Sequence, residues 1–472
     1  MSSSTSAQFK ANVKGALGDN HLQKALRGFQ TGFVHNRKIA IKRLQEFDDL
    51  RDKARDIKNH TIAHMDAYLD IYQQNVEFSG GRVHWAVDGV EACELILGIC
   101  HTAGAKTVTK GKTMIGEEIA INDYLTKNKI TPIETDLGEY IIQLRGEMPS
   151  HIIAPASHVS KDQVSEAFKK AHSDLPKGRS LEEPEELLAE ARAMLRDKFI
   201  SADVGITGAN FLIAETGSSV IVTNEGNGDL TQTLPKVHIV LASIEKIVPT
   251  LEDTTTLLRV LARSATGQEM SSYTTFSTGP RHATDLDGPV EYHVVILDNG
   301  RTDMLAGDFA EMLACIRCGA CLNHCPVYNA VGGHAYGWVY PGPMGAVLTP
   351  GLMGLDGAFH LPQASTLCGK CEDVCPVRIP LPKLLRQWRS QVYNRDLLDW
   401  KTKWGIKYWT ILAKRPALYH FFVTPKVRLL AWCAKKSGHL KSIPMLKGWT
   451  ENRNFPAPEG KTFQRLWRER QK

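Results

Sequence analysis

The sequence predicts an α/β domain with a largely parallel sheet, preceded by a helical region and followed by a cysteine-rich module and a helical tail. Three observations predict this architecture. Apolar residues recur at three- and four-residue spacing up to about residue 76, and β-branched runs then alternate with helical segments from about residue 82 to Asp298. Seven of the ten cysteines lie between Cys315 and Cys375.

The N-terminal region is predicted to be helical because segments such as RKIAIKRLQEFDDLRDKARDIKNH place charges between regularly spaced apolar residues. The strands predicted after it are VHWAV, KTVTK, HIIA, VGITGANFLIAETGSSVIVTN, VHIVLASIEKIV and EYHVVIL. We therefore expect a helical region at 1–69, an α/β domain at 70–298, a cysteine-rich module at 303–385 and a basic, Trp-rich helical region at 386–472.

The composition, 43% hydrophobic and 23% charged over 472 residues, is that of a globular protein with more than one domain. The first residues contain no apolar stretch typical of a signal peptide, and no run of about 18 uncharged apolar residues predicts a membrane-spanning helix. We therefore expect a cytoplasmic protein. In that compartment ten cysteines indicate metal or redox chemistry rather than disulfides.

The cysteines of the module form a repeated motif. The first copy has the spacing C-x2-C-x2-C-x3-C-P of bacterial ferredoxins, with Cys315, Cys318, Cys321 and Cys325 before Pro326. The second copy repeats only the last three positions, with Cys368, Cys371 and Cys375 before Pro376. Ser365 occupies the place of its first cysteine.

Paired ferredoxin motifs exchange their last cysteine, which predicts two iron–sulfur clusters. Cluster 1 takes Cys315, Cys318, Cys321 and Cys375 and is expected to be [4Fe-4S]. Cluster 2 has only Cys325, Cys368 and Cys371, so it is either [3Fe-4S] or a [4Fe-4S] cluster whose last iron takes Ser365, water or a substrate oxygen. Zinc also binds C-x2-C pairs, but it does not require the repeated C-x3-C-P ending.

Weaker candidates lie outside and beside these motifs. The Glu215-Thr-Gly217-Ser218 turn either forms a small anion pocket or only packs a strand end. The Lys110-Gly-Lys-Thr-Met segment, with Glu117 and Glu118, either binds an anion or is a solvated helix start. His324 and His334 either tune the potential of the clusters or are packing residues. Gly319 and Gly369 either let backbone N–H groups approach the cluster sulfides or are ordinary turn glycines.

The C-terminal tail is strongly basic, with 21 Lys and Arg against 5 Asp and Glu from Lys383 onward, and it holds seven of the nine tryptophans. This composition predicts contact with a partner subunit or peripheral contact with the inner face of the membrane. Residues 404–433 are the best candidate, as an interfacial helix pair interrupted at Pro416. No DNA-binding pattern is present, so no nucleic-acid partner is expected.

The double motif, the intervening HAYGWVYPGPMGAVLTP, and the upstream TDLGEYIIQLRGEMPSHIIAPA and GITGANFLIAETGSSVIVTNEGN resemble the lactate utilization protein B family over nearly the whole chain. The resemblance implies a lactate-utilization (LUD) domain at about 70–298, an α/β fold related to sugar-phosphate isomerases and CoA-transferase-like proteins. The resemblance implies that the same seven cysteines are the cluster ligands. It also implies a second cluster site with three cysteines, in agreement with Ser365 at the missing position.

The resemblance also implies a complex that oxidises L-lactate to pyruvate without NAD. This chain would be its iron–sulfur electron-transfer subunit, beside a cysteine-rich subunit resembling heterodisulfide reductases and a smaller single-LUD subunit. The alternatives are electron transfer for another hydroxy substrate, such as glycolate or glycerol 3-phosphate, and a non-enzymatic redox sensor. A further variant makes the open iron of cluster 2 catalytic. The sequence leaves open which subunit performs the chemistry.

Overall fold

A six-stranded parallel sheet lies at the centre of the fold in the computed structural model, which describes residues 4–176, 178–443, 450 and 453–471. The strands before the cysteine-rich module are β1 (Arg82–Ala86), β2 (Thr107–Lys110), β3 (Thr131–Glu134), β4 (Val204–Gly208), β5 (Phe211–Ile213), β6 (Ser218–Thr223), β7 (Val237–Ser243), β8 (Ile247–Val248), β9 (Tyr273–Ser277) and β10 (Glu291–Leu297). The central sheet has the order β1-β10-β7-β4-β2-β3, and a second, mixed sheet has the order β8-β5-β6-β9. The predicted α/β class with a parallel sheet is confirmed.

The strands of the central sheet are buried on both faces. All seven residues of β7 are buried, as are the last six of β10. Ile239 and Leu241 pack with Ile96 on one face, whereas Val240 and Ala242 belong to the core on the other face. Continuous apolar runs of this kind are typical of parallel strands covered by helices on both sides.

Helices cover this sheet and lead into it. Those before the sheet are α1 (Phe9–Gly18), α2 (Asn20–Phe29), α3 (His35–Lys42), α4 (Phe47–Ala63) and α5 (Met65–Phe78). Those within the α/β domain are α6 (Gly89–Thr102), α7 (Met114–Glu118), α8 (Ile121–Lys127), α9 (Leu137–Arg145), α10 (Lys161–Ala171), α11 (Pro184–Ile200), α12 (Asn227–Thr233) and α13 (Leu251–Ala265). The Asp88 carboxylate begins α6 by accepting hydrogen bonds from the N–H groups of Val90 and Glu91.

The cysteine-rich module is built from short helices and loops. Its helices are α14 (Arg301–Ala306), α15 (Ala320–Asn323), α16 (Tyr328–Val331), α17 (Gly342–Met353), α18 (Leu355–Ala358), α19 (Lys370–Asp373) and α20 (Leu381–Asn394). This module, the α/β domain and the N-terminal helices form one unit, residues 1–392, and residues 393–472 form a second.

The second unit contains α21 (Trp400–Ala413), α22 (Pro416–Cys433), the antiparallel pair β11 (His439–Leu440) and β12 (Phe455–Pro456), and α23 (Phe463–Arg470). The predicted interruption at Pro416 is present, since α22 begins there. No helix of the described ranges is both long and apolar enough to cross a bilayer. Residues 1–3, 444–449, 451–452 and 472 of the predicted terminal regions lie outside the described residues.

Three strand assignments before the cysteine-rich module differ from the sequence prediction, one of them being β9, which was not predicted. The predicted strand HIIA, residues 151–154, is wrong, because this segment is an irregular loop. Its apolar side chains pack on the cysteine-rich module, where Ile152 lines a cavity with four cysteines. The strand β3 has the sequence TPIE, in which a proline and a glutamate conceal the strand pattern.

Candidate metal centre and adjoining cavity

The two copies of the cysteine motif have the same backbone conformation. Arg317 and Leu367, each directly before a cysteine, have positive φ angles of 58° and 54°. Gly319 and Gly369, each directly after that cysteine, have φ angles of 72° and 83° and begin the short helices α15 and α19. A non-glycine residue in this region costs energy and is held there only by its surroundings, so the repeat extends to three-dimensional structure.

The first predicted ligand group surrounds one cavity. Cys315, Cys318, Cys321 and Cys375 all line one small cavity whose other walls are mainly apolar. The Ile379 N–H donates a hydrogen bond to the Cys375 Sγ over 3.4 Å. No group of three or more His, Cys, Asp or Glu side chains in the described part of the chain is close enough to hold a single metal ion.

The second predicted group lies nearer the surface. Cys325 and Cys371 are buried, whereas Cys368 is exposed. The Cys325 Sγ accepts a hydrogen bond from the Tyr328 N–H over 3.5 Å. The Ser365 hydroxyl accepts one from the Leu367 N–H over 3.1 Å, so it is engaged within its own loop.

The pKa values of the thiols follow the same grouping. Burial, with Cys315 nearby, raises the pKa of Cys375 to about 11. Burial, with Cys325 and Cys368 nearby, raises the pKa of Cys371 to about 12. Burial also raises the pKa of Cys321, to which Cys315, Cys318, Cys371 and Cys375 all contribute, so the two groups adjoin through Cys321 and Cys371.

These buried thiols suit iron–sulfur clusters. A thiol releases its proton when it coordinates a metal, and the metal charge removes the cost of an unpaired buried thiolate. Backbone N–H groups directed at the sulfurs stabilise the negative charge of such a cluster and affect its potential. The convergence of four cysteines on one cavity and the N–H donors at Cys325 and Cys375 therefore fit the predicted clusters.

Two arginines from the N-terminal helices hold the second cysteine loop. Arg51 on α4 donates from Nε and Nη2 to the Cys375 carbonyl, over 3.1 and 2.8 Å, and also from Nη2 to the Asp373 carbonyl over 2.6 Å. Arg37 on α3 donates from Nη2 to the Val374 carbonyl over 3.0 Å. Sequence reasoning did not identify these residues, although an arginine on the buried face of an amphipathic helix is the signal that identifies them.

A buried ionic network joins the cysteine-rich module to the α/β domain. Glu118 accepts two hydrogen bonds from Arg301, over 3.0 and 2.7 Å, and one from the Tyr340 hydroxyl over 2.7 Å. Glu245 pairs with both Arg301 and Arg317, in each case over 2.8 Å. Burial alone would raise the pKa of Glu245, but Arg301 and Arg317 lower it to about 2. This carboxylate is therefore ionised.

A second, larger cavity opens at the carboxyl edge of the central sheet. It has a volume of about 240 Å³, and residues that follow β2, β3, β4 and β7 line it, among them Lys112, Asp136, Ala209 and Lys246. Arg317 and Tyr340 of the cysteine-rich module complete the wall. This edge is where open parallel sheets bind their ligands.

The cationic groups of this second cavity are buried. Lys246 and Arg317 are each only 8% exposed. Arg317 Nη1 is buried and has no hydrogen-bond partner among the described residues. The Lys246 ammonium is attracted by the nearby Glu245 carboxylate but forms no hydrogen bond with a described residue. Burial and repulsion by Arg317 lower the pKa of Lys246 to about 8.

The Glu215 turn serves packing. Glu215 accepts a hydrogen bond from the Leu251 N–H at the start of α13. Gly217, with a φ of 66°, lies against the backbone of Asn75 and Val76, and Ser218 bonds to the Thr278 hydroxyl. None of the three lines a described cavity, whereas Ala209 and Asn210 at the start of the same segment line the larger one.

The remaining sequence candidates are Lys110, His324, His334, Gly319 and Gly369. Lys110 is buried against Glu117 and Glu134, over 2.6 and 2.8 Å, and is not an anion site. His324 and His334 bond to the carbonyls of Ala320 and Met148. Gly319 lies close to His151, whereas nothing crowds Gly369.

The fold and the cysteine geometry together define an iron–sulfur protein in which an α/β domain and a two-cluster module are joined. Family models match the chain over residues 69–297 as the LUD domain, 311–379 as the 4Fe-4S dicluster domain and 398–472 as the C-terminal part of lactate utilisation protein B. The dicluster match indicates iron–sulfur clusters rather than the zinc alternative.

The curated relatives cover the full chain. Lactate utilization protein B of Shouchella clausii is 44% identical over 99% of this chain and 98% of its own, and that of Bacillus pumilus is 41% identical over 98% of both. The chain belongs to the lactate utilization protein B family. A solved DUF162 family protein from Deinococcus radiodurans matches 49% of the chain and 98% of its own, with 12% identity and a TM-score of 0.27.

The buried network yields a stability prediction. Glu118→Gln leaves Arg301 with less compensating charge in a fully buried place, so we expect the free energy of unfolding to fall by about 3–5 kcal/mol. The measurement is anaerobic urea denaturation of the variant beside the unchanged protein.

Glu252→Gln is the matched control, because Glu252 forms an exposed ion pair with Lys53. Its loss should lower the free energy of unfolding by less than about 1 kcal/mol. Equal urea midpoints for the two variants would contradict a structural role for the network.

Proposed function

We propose that this chain is the iron–sulfur electron-transfer subunit of a complex that oxidises L-lactate to pyruvate. Cys315, Cys318, Cys321 and Cys375 would hold a [4Fe-4S] cluster 1, and Cys325, Cys368 and Cys371 a cluster 2 with either three irons or a fourth iron bound by a non-cysteine ligand. The observation that carries the proposal is the meeting of the first four cysteines at one buried cavity although Cys375 is 54 residues from Cys321.

Two clusters match the electron count of the reaction. Conversion of a 2-hydroxy acid to a 2-oxo acid releases two electrons and two protons, and iron–sulfur clusters accept electrons one at a time. The burial of the two cysteine groups would set the direction of electron transfer, from the proposed cluster 1 to the proposed cluster 2. The first group is mostly buried, whereas Cys368 of the second is exposed and gives electrons a route to a partner.

The cationic side chains around the first group support this role. Arg37 and Arg51 hold the Val374 and Cys375 carbonyls, and Arg317 lies between two of the proposed ligands. Fixed positive charge favours the more negative, reduced state of a cluster and raises its potential. These arginines would make the proposed cluster 1 a better electron acceptor.

The partners would be the two other subunits of the complex, one cysteine-rich and similar to heterodisulfide reductase subunits and one with a single LUD domain. The second unit, residues 393–472, offers a docking surface for them. Its exposed side chains include Trp404, Trp409 and Trp432 at 64%, 55% and 73% exposure, and Lys407 lies 5.3 Å from the Trp404 ring. Tryptophan is enriched in protein interfaces and among the residues that dominate their binding energy.

The iron content tests the ligand assignment. Anaerobically purified protein should contain about seven or eight irons with matching sulfide and show cluster signals in its EPR spectrum. Cys318→Ser should remove about half of the iron, because it takes one of four ligands from the proposed cluster 1.

Cys433→Ser is the control and should retain all the iron, since Cys433 is exposed and outside both groups. Full iron content in the Cys318 variant, or zinc without sulfide in the unchanged protein, would refute the assignment. Reduction of the cluster signals by L-lactate in the presence of the partner subunits would support the function itself.

The docking surface has its own test. Trp404→Ala combined with Trp409→Ala should weaken association with the co-expressed partner subunits about tenfold or more, because two large exposed side chains are lost from the interface. Pull-down titration measures the affinity, and iron content checks that the variant is folded.

Trp85→Ala provides the control, since this tryptophan is 42% exposed but lies in the first unit. Unchanged partner affinity in the double variant would contradict the docking proposal. Sedimentation of the unchanged chain with anionic phospholipid vesicles, lost in the double variant, would assign the surface to the membrane instead.

A further inference from the structure

The larger cavity has two properties of a ligand site that nothing in the electron-transfer role requires. It lies at the carboxyl edge of a parallel sheet, and it contains the buried cations Lys246 and Arg317 beside the half-buried Lys112. Buried ammonium and guanidinium groups normally have a partner, because an unpaired buried charge is costly.

The geometry leaves these cations incompletely satisfied. Arg317 uses Nη2 for Glu245, over 2.8 Å, and its Nη1 has no hydrogen-bond partner. The Lys246 ammonium has Glu245 nearby but forms no hydrogen bond with a described residue, so it has donors to spare. Lys112 differs, since its ammonium donates to the Ile153 carbonyl. A small anion between Lys246 and Arg317 would supply the missing acceptors.

The rest of the cavity selects among anions. Asp136 and Glu225 line it as well, and their carboxylates disfavour a multiply charged ligand such as a phosphate. Thr113 and Asn210 add groups that can bond to a hydroxyl. A singly charged acid with one neighbouring hydroxyl fits this combination.

The cavity is also connected to the proposed cluster 1. Arg317 lines the cavity and stands between Cys315 and Cys318 in the sequence, and Tyr340 lies beneath its guanidinium at 5.4 Å. Ile152 lines both the larger cavity and the cavity of the four cysteines. A ligand held by Arg317 would therefore lie next to the proposed electron acceptor.

We propose that this cavity is the binding site for a short 2-hydroxycarboxylate, with Lys246 and Arg317 holding its carboxylate. The inference rests on the proposed function and deepens it, because it places the substrate on this chain rather than on a partner subunit. Lys246 and Arg317 are then binding residues, and their position beside the first cysteine group explains why the two domains are fused.

Equilibrium dialysis of the anaerobically purified, cluster-loaded chain with radiolabelled L-lactate tests the site. The unchanged protein should bind one L-lactate, and Lys246→Gln should weaken binding about tenfold or more, since a charged hydrogen bond is lost. Lys246→Arg should restore most of the affinity. Lys236→Gln is the matched control and should bind normally, because Lys236 is exposed and directly precedes β7, at the other edge of the sheet from Lys246.

Ligand analogues identify the chemistry. Lactamide, which lacks the negative charge, should fail to compete with L-lactate, and propionate, which lacks the hydroxyl, should compete less well than pyruvate or unlabelled lactate. Equal competition by lactamide, or stronger competition by inorganic phosphate, would overturn the carboxylate assignment.

Iron content and the thermal unfolding midpoint of Lys246→Gln should equal those of the unchanged protein, which separates lost binding from lost folding. Absence of L-lactate binding by the unchanged chain, or equal binding by Lys246→Gln, would overturn the site. The electron-transfer role would survive that result if L-lactate still reduced the cluster signals once the partner subunits were added.

Discussion

The structure depends on a buried network of two carboxylates and two guanidinium groups, formed by Glu118, Arg301, Glu245 and Arg317. The side chains of Glu118, Arg301 and Glu245 are 0% exposed, and that of Arg317 is 6% exposed. Ionic groups of this kind contribute little net stability compared with apolar residues of the same size, because both charges must leave water. Their value here is geometric: they fix the cysteine-rich module on the carboxyl edge of the sheet.

This position brings two cavities together. Arg317 lies between the first two cysteines of the motif, pairs with Glu245 just after β7, and lines the larger cavity. His151 supports the same turn from the other side, bonding through Nε2 to the Asn323 side chain over 3.0 Å. Burial lowers the pKa of His151 to about 3, so the imidazole is neutral and adds no charge beside the first cysteine group. Arginines therefore dominate the local electrostatics.

The sequence predicted what local patterns encode. The cysteine spacing is a local pattern, so it identified both motif copies, and the β-branched runs identified the parallel sheet. The segment HIIA shows where sequence prediction fails. Its apolar residues pack on the cysteine-rich module as a loop, and a short apolar run does not distinguish such a loop from a buried strand. The roles of Arg51 and Glu118 escaped prediction because their partners lie more than a hundred residues away in sequence.

The ionised state of Glu245 decides what Arg317 can still do. A neutral acid at this position would leave two buried guanidinium groups repelling each other, whereas the ionised carboxylate balances one of their charges and engages only one terminal nitrogen of Arg317. Glu118 balances the other charge at Arg301. Arg317 thus remains rigid, charged and incompletely bonded, and a guanidinium in that state is preorganised for an anionic ligand because binding requires no further ordering of the side chain.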